Sequence, residues 1–229
     1  MDRETLQKKI DELARTVDGT RVIGLQQVHG LADAVGSVRQ VELAALESGV
    51  VPARYGRNMG TIGPEGQAAL LRATVGVVGL GGLGGYVVEV LARMGVGTLI
   101  LIDDDVFEDH NLNRQLLGTL RTLGIEKAQA ACQRVAQVNA AVEPICHALR
   151  LTEDNLPELL GRADVVVDAL DRLPMRLVLQ DGLRELGIPL VHGSIAGFLG
   201  QVTTIFPEDP GLHALYGDGE GLPEQGLES

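Results

Sequence analysis

The chain has 229 residues, a formal net charge of -12 at pH 7 and a hydrophobic fraction of 45%. This length and hydrophobic content allow one substantial core, and they exclude an intrinsically disordered chain. The negative charge argues against a nucleic-acid-binding surface, because such surfaces need clustered Lys and Arg. Aromatic residues make up only 3% of the sequence, so aliphatic side chains must fill the core, as in parallel sheets covered by helices.

The two cysteines, Cys132 and Cys146, are too few for a disulfide framework or a four-cysteine zinc site. Cys132 falls on the apolar face of a predicted helix and Cys146 in a predicted strand, so we expect two buried free thiols. The charged N-terminus is followed by no apolar segment, and the long apolar stretch 74–102 includes Glu89 and Arg93. The sequence therefore predicts a cytoplasmic protein without a signal peptide or a membrane span.

Apolar residues recur at helical spacing in the first 50 residues, and helices are predicted over 2–17 and 28–47. We interpret residues 1–50 as a helical arm that packs on the rest of the protein or on a second copy. Docking of a different partner is the alternative function of this arm. A short helix is predicted over 64–71, before the main domain begins its sheet.

Short buried strands alternate with amphipathic helices from residue 75 onward. This alternation predicts an α/β fold with a doubly wound, mostly parallel, Rossmann-like sheet over a domain of residues 51–206. After Pro207 the chain is rich in Gly, Pro and acidic residues, so a flexible acidic tail is expected over 207–229. The predicted strands are 75–78, 98–102, 144–149, 164–168, 189–192 and 199–206, and the predicted helices are 83–94, 125–138, 153–161 and 174–186.

A glycine-rich turn, with Gly79, Gly81, Gly82 and Gly84, links the first of these strands to its helix. Such glycines let the backbone turn tightly and approach a phosphate, while the helix directs its amide-rich end at the same phosphate. The turn alone predicts a nucleotide site without specifying the nucleotide. Asp103 ends the second strand, where a carboxylate accepts hydrogen bonds from ribose hydroxyls in dinucleotide-binding folds.

Polar and charged residues collect in the loops after the second and fourth strands. A phosphorus atom under attack gathers negative charge, which fixed cations such as Arg114 and Lys127 stabilise. A carboxylate near a triphosphate, such as Asp171, is best explained as a magnesium ligand. The alternatives are an ordinary surface lysine for Lys127 and a helix cap for Asp171. The polar residues of the first loop are Asn111, Asn113, Arg114 and Gln115.

Several motifs in this order resemble those of the MoeB/ThiF/HesA family, the bacterial relatives of ubiquitin-activating enzymes. The resemblance extends from about residue 54 to residue 206, and a series of motifs is far more specific than the glycines alone. The motifs are Arg54-Tyr55-x-Arg57, Gly79-Leu-Gly-Gly-Leu-Gly84, Asp103-x-Asp105, Asn111-Leu-Asn-Arg114-Gln115, Lys127, Asp168-x-x-Asp171 and Gly200-Gln201.

This resemblance implies an adenylyltransferase that uses ATP and Mg²⁺. Its second substrate would be a ubiquitin-like sulfur-carrier protein that ends in Gly-Gly. The terminal carboxylate of the carrier would attack the α-phosphorus and give an acyl adenylate and pyrophosphate. A separate sulfur donor would then convert the adenylate to a thiocarboxylate for thiamin, molybdopterin or related synthesis.

The resemblance also implies roles for individual residues. Gly82 would lie against the phosphates, Asp103 would hold the ribose, and Asp171 would carry the magnesium ion. Arg57 matches an arginine that the family lends to the site of a dimer partner, which implies a functional homodimer. The catalytic set would be Arg57, Arg114, Lys127 and Asp171, and the nucleotide site would comprise Gly79, Gly81, Gly82, Gly84, Asp103, Asp105, Asn111, Asn113, Arg114, Gln115, Lys127, Asp171 and Arg172.

The sequence departs from the family pattern in two respects. It lacks the Cys-x-x-Cys pairs that often hold a structural zinc ion, so neither a zinc site nor a thioester-forming cysteine is expected. Arg172 stands where the family has an asparagine after the metal-binding aspartate, which affects the expected geometry around Asp171.

Two other functions remain consistent with parts of the sequence. A NAD(P)- or FAD-dependent oxidoreductase would account for the glycine turn and Asp103, but it would leave Arg57, Arg114 and Asp171 unexplained. A scaffold that binds a nucleotide or a carrier without activating it would account for the missing zinc pairs and for Arg172.

Overall fold

The computed structural model describes residues 1–217, and the chain separates into two compact units. The first unit contains the N-terminal third of the chain and two short later segments. The second unit contains the glycine turn and most of the large sheet. The first unit comprises Met1–Ala73, Leu91–Thr98 and Ala136–Glu143, and the second comprises Thr74–Val90, Leu99–Val135 and the chain from Pro144.

The N-terminal part of the first unit is a mixed α/β structure and not a purely helical arm. Its apolar residues form their own core, with Ile10, Ile23, Val41, Ala45 and Val50 fully buried. A small sheet of order β1-β2-β3 accompanies the helices. The elements are α1 (Arg3–Leu13), β1 (Arg15–Val17), β2 (Thr20–Ile23), α2 (Leu25–Val35), α3 (Val38–Glu47), β3 (Val51–Pro52) and α4 (Met59–Arg72).

The predicted helix over 2–17 is wrong after Leu13. Val17 pairs with Thr20 in an antiparallel hairpin, and the two turn residues, Asp18 and Gly19, both have positive φ, at 48° and 78°. Asp-Gly is a strong signal for a two-residue hairpin turn, and the helical spacing of the apolar residues concealed it.

The predicted helix over 28–47 is two helices, α2 and α3. Gly36 ends α2 in the left-handed conformation, with φ 87°, which a residue with a Cβ rarely adopts. The side chain of Ser37 then accepts a hydrogen bond from the backbone N–H of Gln40 and caps α3. The apolar periodicity continues across this break, so periodicity alone did not show it.

The predicted α/β fold is confirmed. A six-stranded sheet has the order β6-β5-β4-β7-β8-β9, in which β7 pairs in parallel with β4 and β8, while β9 is antiparallel to β8. The strands are β4 (Thr74–Val78), β5 (Thr98–Ile102), β6 (Glu143–His147), β7 (Val165–Asp168), β8 (Leu190–Ala196) and β9 (Leu199–Ile205). The helices are α5 (Gly82–Met94), α6 (Lys127–Val138), α7 (Leu156–Leu160), α8 (Leu173–Leu186) and α9 (His213–Tyr216).

Aliphatic side chains form the core on the α7 and α8 side of this sheet, as the composition predicts. Val166 and Leu190 from neighbouring strands pack with Leu160 and Leu183 from the helices. Leu212, in the first part of the predicted tail, belongs to the same core, and its N–H donates to the side chain of Gln180 at 2.5 Å. The rest of that tail, 218–229, lies outside the described residues. Within residues 1–217 no helix has both the length and the hydropathy to cross a membrane.

The expectation of two buried free thiols is wrong. Cys132 on α6 and Cys146 on β6 form a disulfide with a Cα–Cα distance of 6.3 Å. Cys132 is buried, whereas Cys146 is exposed on β6, an edge strand of the sheet. The packing of α6 beside this edge brings the thiols together, and no sequence pattern reports that proximity.

We predict that unreduced, denatured protein reacts with no iodoacetamide, and that reduced protein takes up two carbamidomethyl groups by mass spectrometry. Cys146→Ser should lower the free energy of unfolding by roughly 3 kcal/mol, because the cross-link closes a short loop in the unfolded chain. Two adducts on the unreduced protein would show that the thiols are free.

Candidate active site

The glycine turn between β4 and α5 is shaped by two close backbone approaches. Gly79 has φ +88°, and a Cβ there would lie 2.6 Å from the carbonyl oxygen of Ala169, just after β7. A Cβ at Gly84 would overlap the carbonyl oxygen of Gly79. Both positions therefore require glycine for the turn itself.

Gly82 differs from these two glycines. It is the first residue of α5, and the nearest atom to a Cβ built there is Cγ of Arg114, at 3.9 Å. The backbone therefore presents an open surface at the N-terminus of a 13-residue helix, where N–H groups and the helix dipole favour an anion. This cradle, which a Cβ would partly fill, fits the phosphates of a nucleotide.

Asp103, at the end of β5, joins the glycine turn to the next loop. Its Oδ2 accepts the backbone N–H of Leu80 at 2.7 Å, and its Oδ1 accepts the N–H of Asp105 at 2.9 Å. Burial raises the pKa of Asp103, although these two N–H groups and the charge of Lys127 oppose the shift. Each carboxylate oxygen can accept more than one hydrogen bond, so ribose hydroxyls can still bind there.

Lys127 is the first residue of α6, and it contacts Asp105, where the preceding loop begins. Its Nζ is 2.9 Å from Oδ2 of Asp105, and its backbone N–H donates to the Asp105 carbonyl at 2.9 Å. The Lys127 side chain is buried, whereas Asp105 is exposed. Before any ligand binds, Lys127 is thus paired with Asp105, and this pair fixes the start of the loop.

The loop from Asn111 to Gln115 lies against the glycine turn. Asn111 is buried, and its Oδ1 accepts the N–H of Glu108 at 2.9 Å, which caps a short 3₁₀ helix. Gln115 is buried, and its Nε2 lies 3.5 Å from a Cβ built at Gly81. Among the described residues, Oε1 of Gln115 has no hydrogen-bond partner. This buried, unpaired acceptor beside the turn also fits a bound polar ligand.

Arg114 is exposed on the same loop, with its Cγ near Gly82. Its guanidinium donates to the carbonyl of His110 at 3.0 Å and to Oδ1 of Asn113 at 3.2 Å. Both contacts are with neighbouring residues of the loop, so they hold the side chain without neutralising its charge. Asn113 is likewise exposed.

Asp171 and Arg172 follow β7. They come shortly after Ala169, whose backbone lies close to Gly79. Both are exposed, and Arg172 immediately precedes α8. Within the described residues, the Asp171 carboxylate forms no hydrogen bond or ion pair, so it is available to a metal ion that also binds phosphate oxygens. The carboxylates of Asp103, Asp104 and Asp105 also offer ligand atoms within 4.8 Å of one another, but those of Asp103 already accept two N–H groups.

Asp168, His192 and Arg176 form a group in which Asp168 and His192 are fully buried. Asp168 is part of a motif noted in the sequence, but none of the three was assigned a role in the site. Asp168 Oδ1 accepts the N–H of Leu170 at 2.9 Å, and its Oδ2 lies 2.6 Å from Nδ1 of His192. Arg176 donates to the carbonyl of Leu170. The group fixes both backbone polar atoms of the residue before Asp171. An acid at the end of an otherwise apolar strand was the available signal.

Arg57 belongs to the first unit. It is exposed between a short 3₁₀ turn, Ala53–Tyr55, and α4. Its side chain forms no hydrogen bond or ion pair within residues 1–217.

Residues 55–226 match the ThiF family. The chain belongs to this family. The resemblance to MoeB and ThiF found in the sequence motifs is therefore confirmed, and the site described above occupies the family's domain.

Curated relatives give the comparison more detail. Over 177 residues, 76% of this chain, it is 44% identical to a protein of Haloferax volcanii named "SAMP-activating enzyme E1". Over 166 residues, 72% of this chain, it is 42% identical to the "Sulfur carrier protein adenylyltransferase" of Thermus thermophilus. The matched regions span only 64% and 60% of these two relatives.

Solved structures with the same fold include nucleotide complexes. The E. coli tRNA N6-threonylcarbamoyladenosine dehydratase TcdA, in complex with ATP, is 30% identical, with a TM-score of 0.61 over 64% of this chain and 61% of that one. E. coli MccB, crystallised with AMPCPP and MccA, is 25% identical, with a TM-score of 0.62 over 68% of this chain and 48% of that one.

We predict opposite effects for alanine at two glycines of the turn. Gly82→Ala should keep its thermal stability but lose roughly tenfold or more in ATP affinity, about 1.4 kcal/mol, because its Cβ occupies the phosphate surface. Gly84→Ala should lose about 2 kcal/mol or more of unfolding free energy, because its Cβ overlaps backbone. Calorimetry and thermal melts separate the two effects. Unchanged ATP affinity in a folded Gly82→Ala variant would place the phosphates elsewhere.

Proposed function

We propose that this chain is an adenylyltransferase that activates the terminal Gly-Gly carboxylate of a ubiquitin-like sulfur-carrier protein. A carboxylate oxygen attacks the α-phosphorus of ATP and forms the acyl–phosphate bond. The bond between the α-phosphorus and the bridging oxygen breaks, and pyrophosphate leaves. The observation that carries the proposal is the position of Arg114, whose Cγ lies 3.9 Å from a Cβ built at Gly82, on the loop beside the phosphate cradle.

The names of two relatives support this choice of substrate, since one is a sulfur-carrier adenylyltransferase and the other activates SAMP proteins. The complexes of TcdA with ATP and of MccB with AMPCPP support nucleotide binding by a protein of this fold. ATP fits the rim of the turn better than NAD, because Arg114, Lys127 and Asp171 all suit a triphosphate under attack.

The residues of the site bind different parts of ATP. The turn at Gly79–Gly84 holds the phosphates, and Asp103 accepts hydrogen bonds from the ribose. Arg114 and Lys127 stabilise the charge that develops on the phosphate oxygens as the α-phosphorus is attacked. Asn111, Asn113, Gln115 and Arg172 complete the polar lining.

Asp171 is the residue that would hold Mg²⁺, which neutralises part of the charge of the triphosphate when bound. Its carboxylate has no protein partner within residues 1–217, and Asp168 and Arg176 fix the backbone before it. One carboxylate is sufficient for this ion, which keeps several waters and binds phosphate oxygens. The absence of a zinc site stays a prediction.

Arg57 acts in the site of a second copy, so the active form is a homodimer. Arg57 is exposed, has no side-chain partner among residues 1–217 and stands at the family's motif position, which supports this role. A separate sulfur donor then converts the acyl adenylate to a thiocarboxylate for thiamin, molybdopterin or related synthesis. The protein acts in the cytoplasm, where ATP is available. A disulfide is uncommon in that compartment.

We predict carrier- and Mg²⁺-dependent ATP–pyrophosphate exchange. Arg114→Ala and Asp171→Ala should each lower the exchange rate by about a hundredfold or more, the loss expected for one preorganised charge at a transition state. Two variants serve as matched controls and should exchange normally. Arg121→Ala changes an exposed arginine of the same loop, and Asp104→Ala changes an exposed acid just after β5.

Exchange that survives both Arg114→Ala and Asp171→Ala would refute the roles of these residues. No exchange with any Gly-Gly carrier, together with tight NAD binding, would favour an oxidoreductase. Binding of ATP and carrier without exchange would favour a scaffold.

We also predict that Arg57 is shared across the dimer. Arg57→Ala and Asp171→Ala chains should each be nearly inactive alone, because one lacks the donated arginine and the other lacks the metal ligand. In a mixed dimer the Arg57→Ala chain keeps its Asp171, and the Asp171→Ala chain donates its Arg57, so one site is complete. Exchange should therefore recover to about one site per mixed dimer. Lack of recovery in verified mixed dimers would show that Arg57 does not act in the partner's site.

A further inference from the structure

Four side chains of the first unit form a closed ring of polar contacts, and they are those of Glu42, Arg54, Tyr55 and Asn139. The Tyr55 hydroxyl donates to Oε2 of Glu42 at 2.9 Å and accepts from Nδ2 of Asn139 at 2.9 Å. Arg54 donates to Oδ1 of Asn139, and its Nε lies 3.5 Å from Oε1 of Glu42. Each member therefore contacts the two others next to it, and moving one displaces its neighbours.

The ring is buried at its centre. Glu42 and Tyr55 are each 0% exposed, and Asn139 is 2% exposed. Burial raises the pKa of Glu42, while the positive charge of Arg54 and the Tyr55 hydrogen bond favour its ionised form. Tyr55 packs so tightly that a Cβ at Gly95 would lie 2.6 Å from its hydroxyl. Since an unpaired buried carboxylate is costly, the ring has little freedom to rearrange.

A second anchor follows Arg57 directly. The N–H of Asn58 donates to the carbonyl of Tyr55 at 2.9 Å, and its Nδ2 donates to Oε1 of Gln67 at 2.7 Å. Gln67 is 0% exposed, and its Nε2 donates to the carbonyl of Met94 at 2.8 Å. Arg57, which is exposed, therefore stands on a short backbone segment that is fixed on both sides.

Glu42 contributes the carboxylate of the ring, and it comes from α3 in the N-terminal arm. The match to the ThiF family begins at residue 55, so Tyr55 and Asn139 lie inside it and Glu42 lies outside. An element outside the family domain thus supplies the acid that holds the Arg54–Arg57 segment.

We propose that Glu42 is a positioning residue for Arg57, and that the arm orients the arginine donated to the partner's site. This inference rests on the proposed function, because it concerns the role of Arg57 in that reaction. Glu42 touches neither substrate nor nucleotide. Its effect should appear only where Arg57 acts, in the site of the other subunit.

The experiment is ATP–pyrophosphate exchange with Glu42→Ala, with Glu42→Gln as a milder variant that keeps an acceptor for Tyr55. Glu47→Gln, on the same helix but paired at the surface with Arg3 and Arg72, is the matched control. Glu42→Ala should lower kcat by roughly tenfold to a hundredfold, the cost of displacing a catalytic group by about 1 Å, while the KM for ATP stays unchanged.

Mixed dimers separate positioning from a general loss of structure. A Glu42→Ala chain mixed with an Asp171→Ala chain should recover one normal site, because the latter chain donates a correctly held Arg57. The same Glu42→Ala chain mixed with Arg57→Ala should not recover, because neither chain then donates a competent arginine. A structural defect would instead remain with the Glu42→Ala chain and its own site.

Two results would overturn the inference while leaving the proposed function intact. One is wild-type exchange by Glu42→Ala. The other is failure of Glu42→Ala with Asp171→Ala to recover when Arg57→Ala with Asp171→Ala does. If the Arg57 pair itself does not recover, donation to the partner's site is refuted, and the double variant Glu42→Ala/Arg57→Ala decides whether Glu42 positions Arg57 for its own chain. A loss equal to that of Arg57→Ala alone supports it, and an additive loss refutes it. If Glu42→Ala does not fold, Glu42→Gln takes its place in every mixture.

Discussion

Asp103 accepts one backbone N–H from the glycine turn and another from the loop after β5, so one carboxylate joins the two segments that form the nucleotide site. Asp103 is half-buried, and this burial raises the pKa of its carboxyl group, although the two N–H groups oppose the shift. The turn is held from its other side by the close approach of Gly79 to Ala169. The backbone around Gly82 is therefore held from two sides, and the proposed stabilisation of a transition state requires such preorganisation.

Another arrangement, a buried acid that fixes the backbone beside an exposed residue with a proposed role, occurs in both units. Asp168 holds the N–H of Leu170, next to the exposed Asp171. Glu42 holds Tyr55, two residues before the exposed Arg57. Within residues 1–217 neither Asp171 nor Arg57 has a side-chain hydrogen bond or ion pair, while the backbone beside each is fixed. This division keeps the charge available to the substrate and limits the entropy lost when the site binds it.

Much of the fold was predictable because its signals are local. The strands appear as runs of apolar residues, and Gly84 needs glycine because of a backbone approach to Gly79, only five residues away. Two predicted helices were wrong because the helical spacing of apolar residues competed with a local signal for a turn or a helix end. Helical spacing up to Val17 concealed the hairpin turn at Asp18, and the same spacing concealed the break at Gly36. At the site, the sequence pointed to Arg114 and Asp171, but it did not reveal that Lys127 is paired with Asp105.

From the sequence alone we predicted the order of strands and helices from β4 to β9, the glycine turn, and the charged residues that follow the strands of this sheet. These depend on spacing and on side-chain chemistry, which can be read along one dimension. Only the tertiary structure decided which distant residues meet. The disulfide between Cys132 and Cys146 depends on how α6 packs beside β6, and the ring that joins Glu42 to Asn139 depends on packing between elements far apart in the chain. Such contacts leave no periodic trace in a sequence, because each partner satisfies its local pattern equally well without the other.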